Sequence, residues 1–297
     1  MASGYSKQDN RFFVQFSWYF CVLRIETMKY IFTIAVLAVT TIASSQFHTG
    51  RSRSELGVML GGSYYIGDLN QYGHFKNTYL AGGLVYRYNI NPRVSLRANA
   101  LYAKVAGYDS QSKEAALRQR NLSFSSTIYE LGVGFEFNYF PFQLGHDRYK
   151  GTAYLLAELG VFQMNPTANV NGREVELRSL GTEGQGTSLN PKGYYSLTQI
   201  CLPLGFGVKL SLGDFIGVNF EFGIRKTFTD YLDDVGGETY ADPLVLAAEN
   251  GPLAAQLSNK SGSLYGNRGN SATKDWYVFT GVMITFRLGR PEKCFHQ

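Results

Sequence analysis

The chain has 297 residues, 28 Lys and Arg against 23 Asp and Glu, a net charge of +5, and 17% charged residues, where ordinary soluble domains have about 25%. Aromatic side chains make up 15% and glycine contributes 33 residues, yet mean hydropathy is only −0.15. That balance excludes a bundle of membrane helices, which needs runs of about 20 apolar residues, and the dispersed charge gives no nucleic-acid patch.

Met28 sits where a translation start belongs, and residues 1–27 before it have no signal-peptide order. They read as a start placed too far upstream, or as a disordered extension. Residues 28–46, MKYIFTIAVLAVTTIASSQ, place Lys29 before an apolar run and Ala43-Ser44-Ser45 after it. This is the order of a secretory signal peptide, with the mature chain starting near Gln46. No lipobox cysteine follows, so no lipid anchor is expected.

Residues 47–297 then break into eight segments of alternating polarity, near 55–64, 79–89, 94–105, 129–139, 152–162, 199–210, 216–226 and 275–288. In the fourth, Tyr129, Leu131, Val133, Phe135, Phe137 and Tyr139 alternate with Glu130, Gly132, Gly134, Glu136 and Asn138. The seventh alternates Ile216, Val218, Phe220, Phe222 and Ile224 with Gly217, Asn219, Glu221, Gly223 and Arg225. A helix would scatter these apolar residues around its axis; a strand puts them on one face. Connections at Asn91-Pro92, Pro141 to Lys150 and Gly213-Asp214 are short, and the others span about 14, 20, 35 and 45 residues.

Strict alternation of short and long connections predicts an all-β fold: an eight-stranded, up-and-down, antiparallel transmembrane β-barrel. Its short turns face the periplasm and its long loops the exterior, in the outer membrane of a bacterium. Aromatic residues at segment ends (Tyr64, Tyr79, Tyr88, Tyr102, Tyr129, Tyr139, Phe140 and Trp276) are expected in interfacial girdles against outer-membrane lipid.

The same alternation points five acids inward, Glu55, Glu130, Glu136, Glu158 and Glu221, and five bases, Arg87, Arg97, Lys209, Arg225 and Arg287. A barrel of eight strands has room only for side chains, and buried charges must pair. The expected lumen is therefore a salt-bridged plug and not a pore. Reading the carboxylates as catalytic has little support, because a filled lumen offers no substrate cleft. No Ser/His/Asp constellation appears, so an enzyme, a small-molecule substrate and a cofactor are not expected.

Cys21, Cys201 and Cys294 and the four histidines lack metal-ligand spacing, so no metal is expected either. Asp230, Asp233, Asp234, Glu238 and Asp242 crowd the last loop without the spacing of a calcium loop, and read as a solvated acidic loop. Cys201 and Cys294 lie too far apart to bridge. Cys294 either pairs with a partner protein or remains a free thiol.

Several stretches resemble one family. They are Ser63-Tyr64-Tyr65-Ile66-Gly67-Asp68-Leu69-Asn70, Arg120-Asn121-Leu122-Ser123-Phe124, Asn165-Pro166, Gly181-Thr182-Glu183-Gly184-Gln185-Gly186, Pro203-Leu204-Gly205-Phe206-Gly207, Arg225 through Val235, Asp275-Trp276-Tyr277 and Lys293-Cys294. Together they resemble the PorG-like outer-membrane barrels of the type IX secretion and gliding machinery. The resemblance covers Glu55 to Cys294. It implies a structural component that tethers a periplasmic PorK/PorN-like ring to the outer membrane. Genomes with this machinery carry several such barrels, so a surface binding or adhesion barrel with no role in secretion is the alternative. For an anchor, the periplasmic turns and tail must make the contact, with Phe142, Leu144, Arg148 and Cys294 as the expected grip.

Overall fold

In the computed structural model, which describes residues 53–71, 73–146, 148–188, 190, 193–262 and 267–289, the alternating segments form antiparallel strands. They are β1 (Ser54–Ile66), β2 (Tyr79–Asn89), β3 (Val94–Tyr108), β4 (Ser123–Asn138), β5 (Gly151–Val170), β7 (Thr198–Leu212), β8 (Ile216–Thr227) and β9 (Trp276–Leu288). A short β6 (Arg173–Glu176) pairs only with the end of β5. Each of the eight pairs with its neighbours in sequence, and β1 pairs with β9, so the sheet closes with no free edge. The fold is a closed, eight-stranded, up-and-down β-barrel. β3, β4 and β5 run further at their long-loop ends than the alternation indicated. There Ser125 and Thr167 hydroxyls bond across the ladder at 3.0 Å, so polar residues continue the pairing.

Side-chain parity follows the sequence. Leu131, Val133, Phe135, Leu155, Leu159, Phe206, Val208, Phe220 and Ile284 are exposed on the outer face. Between them on the same strands, Glu130, Glu136, Glu158, Lys209 and Glu221 are buried inside. Water does not accommodate so continuous an apolar belt, whereas hydrocarbon does, because closure pairs every strand edge. No helix among the described residues is long and apolar enough to cross a membrane; the strands make the crossing.

Three connections are short, at 90–93, 139–150 and 213–215, and all lie at one end. The first is set by Asn91, whose Oδ1 accepts from the backbone N–H groups of Arg93 and Val94 at 2.8 and 2.9 Å. The 139–150 turn folds back into the barrel mouth. The Phe142 N–H reaches the Pro92 carbonyl at 2.9 Å, the Gly145 N–H reaches Ser211 Oγ at 3.0 Å, and Arg287 donates to the Leu144 carbonyl at 2.6 Å. Gly145 takes φ +76, and a Cβ there would lie 2.5 Å from the Asp214 carbonyl oxygen, so glycine is needed where the turn crosses the mouth. The expected grip residues Phe142 and Leu144 are consequently only 4% and 1% exposed. They plug this end and present nothing to a partner. Arg148, Lys150 and Arg93 remain exposed around them.

The long loops occupy the other end. They contain the short helices Ala115–Arg120, Leu177–Leu180, Pro243–Glu249 and Pro252–Ser258. Leu69, Leu122, Leu177, Leu232, Val235 and Leu257 are buried in one apolar cluster that continues downward through Met164, Phe162, Tyr277 and Phe279 into the barrel. Loops and lumen thus share a core. Two expected girdle residues are drawn under the loops instead of facing lipid. Tyr64 faces outward as its parity requires, but it is fully buried beneath His74 and Phe75, with its hydroxyl 3.1 Å from His74 Nδ1. Tyr79 lies on the inward parity and shares a hydrogen bond with Tyr108 at 3.2 Å. Tyr88, Tyr102, Tyr129, Tyr139 and Phe140 are exposed at the strand ends. The proposed leader 28–46, residues 1–27, Cys21 and Cys294 lie outside the described residues.

Candidate functional site

The lumen is a ladder of charge in two tiers. In the lower tier Glu136 meets Arg87 at 2.9 Å and Arg97 at 3.4 Å, and pairs closely with Lys209. Arg97 also meets Glu158 at 3.0 Å and donates through Nη2 to Glu221 at 3.0 Å. Arg87 extends the chain to Glu55 at 3.6 Å, where the Asn89 amide donates at 2.7 Å. In the upper tier Arg225 pairs with Glu130 at 3.3 Å, and the Tyr277 hydroxyl donates to the same carboxylate at 2.7 Å.

The register builds these contacts. Gly134 lies between Arg97 on one side and Glu158 on the other, all three pointing inward. A Cβ at Gly134 would fall 2.2 Å from the Ala157 carbonyl oxygen. The glycine therefore lets the strands approach closely and lets the two long side chains meet over it.

Nine of the ten charges expected inside take part in these ion pairs. Arg287 is the exception. It sits half-buried at the short-turn mouth, bonded to the Leu144 carbonyl, with no carboxylate partner among the described residues. Sequence parity did not single out Tyr154, Asn99 and Tyr277, which complete the network. The Tyr154 hydroxyl donates to Glu221 at 2.8 Å and the Asn99 amide donates to Glu158. Their inward parity was the available signal. Cys201 is buried inside, its Sγ 3.6 Å from the Tyr277 hydroxyl.

A second polar network staples the loop cap. Arg120 makes a two-pronged contact to Asp109, both arms at 2.7 Å, and donates to the Asp68 carbonyl at 3.1 Å and to the Arg268 carbonyl. Arg268 in turn pairs with Glu183, donates to the Asp234 carbonyl at 3.0 Å and reaches Thr182 Oγ1 at 3.1 Å. Glu183 accepts from the Gly236 and Gly237 N–H groups at 2.9 and 2.8 Å. Asp234 accepts from the hydroxyls of Thr182 and Tyr195. Below them the Tyr65 hydroxyl lies 2.5 Å from Asp233 Oδ2 and 2.9 Å from Asp275 Oδ1.

This overturns the expectation of a solvated acidic loop. Asp230, Asp233 and Asp234 are buried, whereas Glu238 and Asp242 stay exposed. Burial, with repulsion from neighbouring acids, pushes Asp233 and Asp275 well above the usual carboxylate range. Burial also pushes Asp230 and Asp234 up to about 6, against the pull of Lys274 and Arg268 respectively. The acids face hydroxyls, amides and guanidinium groups. No set of three His, Cys, Asp or Glu side chains among the described residues is arranged to hold a metal. Of the stretches that carried the family resemblance, those around Tyr65 and Asp68, Arg120, Thr182 and Glu183, Asp233 and Asp234, and Asp275 supply parts of this staple, and Asp109, Tyr195 and Arg268 come from outside them.

Strand pairing, apolar exterior and filled interior define the class: an up-and-down outer-membrane-type barrel closed over its own lumen. The chain belongs to the family described as "Domain of unknown function (DUF6089)", whose profile matches residues 28–243. Among solved structures it is similar to Neisserial surface protein A at 9% identity, covering 80% of this chain and 97% of that one, TM-score 0.39. It is likewise similar to Ail, the attachment invasion locus protein of Yersinia pestis, at 12%, covering 79% and 96%, TM-score 0.37. The outer membrane protein OprG of Pseudomonas aeruginosa matches at 8%, covering 80% and 98%, TM-score 0.34. At such scores these likenesses add nothing to what the strand pairing shows. No curated protein matches the sequence.

Proposed function

We propose that this barrel is a non-enzymatic structural component of the outer membrane that anchors a periplasmic assembly. The partner implied by the PorG-like resemblance is a PorK/PorN-like ring of type IX secretion. The observation that carries the reading is closure at both ends: the charge ladder fills the lumen, the Phe142–Leu144 turn seals one mouth and the stapled loops seal the other. A barrel built this way is a rigid post.

The contact surface differs from the one expected. Phe142 and Leu144 hold the turn in the mouth, so the face offered to the periplasm is the exposed basic rim of Arg93, Arg148 and Lys150. An acidic surface on the partner complements it. Replacing all three with glutamate is expected to leave the barrel folded and heat-modifiable on gels, while the ring no longer co-purifies and secretion stops. Co-purification and secretion unchanged by the triple variant would overturn the anchor reading.

A surface-binding role is favoured by one observation, the 80% exposed Leu244 and 61% exposed Phe75 at the loop end. Leu244→Ser with Phe75→Ser separates the two readings, because it spares the staple. Loss of surface attachment with intact secretion would move the protein to that class. Excising the whole of residues 239–271 would not separate them, since Arg268 ties the cap together.

A further inference from the structure

The outer face of β7, β8 and β9 carries a trough at the level of the outer leaflet. Its walls are cross-strand pairs on lipid-facing parity: Phe206 opposite Phe222, Leu204 opposite Ile224, and Leu202 opposite Lys226. Lys226 is also opposite Trp276 on β9. The Phe206 and Phe222 rings, 5.5 Å apart, close the lower end. From Phe222 to Lys226 the strand rises about 13 Å. The trough encloses about 260 Å³ and opens sideways into the hydrocarbon belt.

Its outer end carries an exposed cation, the Lys226 ammonium, 4.8 Å from the centroid of the Trp276 ring. Among the described residues it has no carboxylate partner. The cation above it, Lys274, is engaged with Asp230 at 3.4 Å. A larger outer trough of about 550 Å³, walled by Leu84, Tyr102, Tyr129, Leu131 and Val161, has no such feature. The Lys104 ammonium, two residues beyond Tyr102, is paired with Glu174 at 3.5 Å.

We propose that the trough of Leu202, Leu204, Phe222, Ile224, Lys226 and Trp276 is a binding site for a phosphate-bearing lipid of the outer leaflet. One acyl chain lies along the apolar walls, and the phosphate ester lies on the Lys226 ammonium at headgroup depth. The indole edge of Trp276 holds the interface level, as tryptophan does at membrane boundaries. An apolar molecule alone would leave the lysine without a counter-charge. A soluble anion would leave the walls unfilled. The lipid satisfies both. The site rests on the reading of the chain as a membrane-spanning barrel.

The sequence supplies the probe, because it contains two tryptophans, Trp18 and Trp276. In the full-length chain with Trp18→Phe, Trp276 is the sole indole. Its fluorescence is measured in vesicles of phosphatidylcholine in which a fraction of the lipid has brominated chains, carried either by phosphatidic acid or by phosphatidylcholine itself. Brominated phosphatidic acid is expected to quench at a mole fraction about five-fold lower than the brominated zwitterionic lipid, the worth of one basic side chain at a membrane surface. Lys226→Gln should erase the preference and Lys226→Arg should keep it. High salt should weaken it in the parent chain, with no variant involved. Inorganic phosphate in the aqueous phase should not compete; competition would assign the site to a free anion and overturn the lipid proposal. Quenching by both brominated lipids with equal strength, or a preference that survives Lys226→Gln, would overturn the proposal while leaving the membrane reading intact. No quenching by either lipid would overturn both.

Discussion

Replacing Arg97 with methionine tests whether the lumen is a dry, paired plug. The side chain is buried and faces three carboxylates, Glu136, Glu158 and Glu221. After the substitution Glu136 keeps Arg87 and Lys209, and Glu221 keeps the Tyr154 hydroxyl. Glu158 keeps only the Asn99 amide. Glu158 and Glu221 are both left without a paired cation, and a single buried charge stranded this way already costs about 3–5 kcal/mol. Adding Glu158→Gln and Glu221→Gln removes both orphaned charges. Because exchanging a whole buried ion-pair group for neutral side chains is often close to neutral, the triple variant should return to within about 1 kcal/mol of the parent. Urea titration in vesicles, followed by gel mobility with and without heating, measures both. A loss under about 1 kcal/mol for Arg97→Met alone, the range of a solvated pair, would refute the dry plug. So would a triple variant no more stable than the single one.

Phe220, 53% exposed on the lipid face, sits at mid-height of β8, and its change to Arg should cost about 2–4 kcal/mol in bilayer unfolding. The neighbouring Asn219, 1% exposed with no partner for its amide nitrogen, should tolerate Ala far better; the reverse order would mean a register slipped by one residue. A planar bilayer containing the protein should show no steady single-channel current, because side chains occupy the lumen; ohmic steps would count against closure. The cap should tighten in mild acid. Asp230 and Asp234 move from 3.8 to about 6 on folding, and Asp233 and Asp275 move further up. Acids raised this way stabilise the fold below their unfolded value and lose that contribution as pH climbs through the folded one. Proteolysis of loops 171–197 and 228–275, normalised to a denatured control, should therefore slow between about pH 7.5 and about pH 5.5. Acceleration over that interval would contradict the assignment.

Strand identity was legible because its signal repeats every two residues. Glu130 to Asn138 alternates with six outward apolar residues, and no other backbone geometry keeps both sets segregated. The lumen charges followed from the same parity, which says which side a residue faces. Parity does not say what lies over that side. Tyr64 faces outward, yet it is covered because the loop carrying His74 and Phe75 folds against it. Phe142 and Leu144 resemble an exposed anchor because they sit on a turn between polar residues. The turn is long enough to cross the mouth, and two apolar side chains gain more by sealing it than by facing water. The cap lay furthest from view. Arg268 meets Glu183 across 85 positions and Arg120 meets its carbonyl across 148. No periodicity connects such residues; the stretches behind the PorG-like resemblance included Arg120 and Glu183, while nothing in the sequence marked Arg268.

A loop that exists to grip a ligand turns its costly polar groups outward, where the ligand supplies their partners. Here Asp109, Arg120, Glu183, Asp234 and Arg268 turn toward one another, and their hydrogen bonds are closed within the chain. Burying charge carries a desolvation penalty of several kcal/mol per ion, and what it secures in this chain is a fixed cap over a filled lumen. The loop stretches behind the resemblance therefore help to shut the loop end. The groups left open to any partner are the Arg93, Arg148 and Lys150 rim at one end and Leu244 and Phe75 at the other. A rim of three cations around an internally braced turn can bear load without distorting the barrel, because Phe142, Leu144 and Gly145 are tied to the 90–93 turn, β9 and β7 through Pro92, Arg287 and Ser211 respectively. Phe75 packs over Tyr64 and Leu244 lies on a separate loop helix, so the short-turn end is where the proposed anchoring contact is tested first.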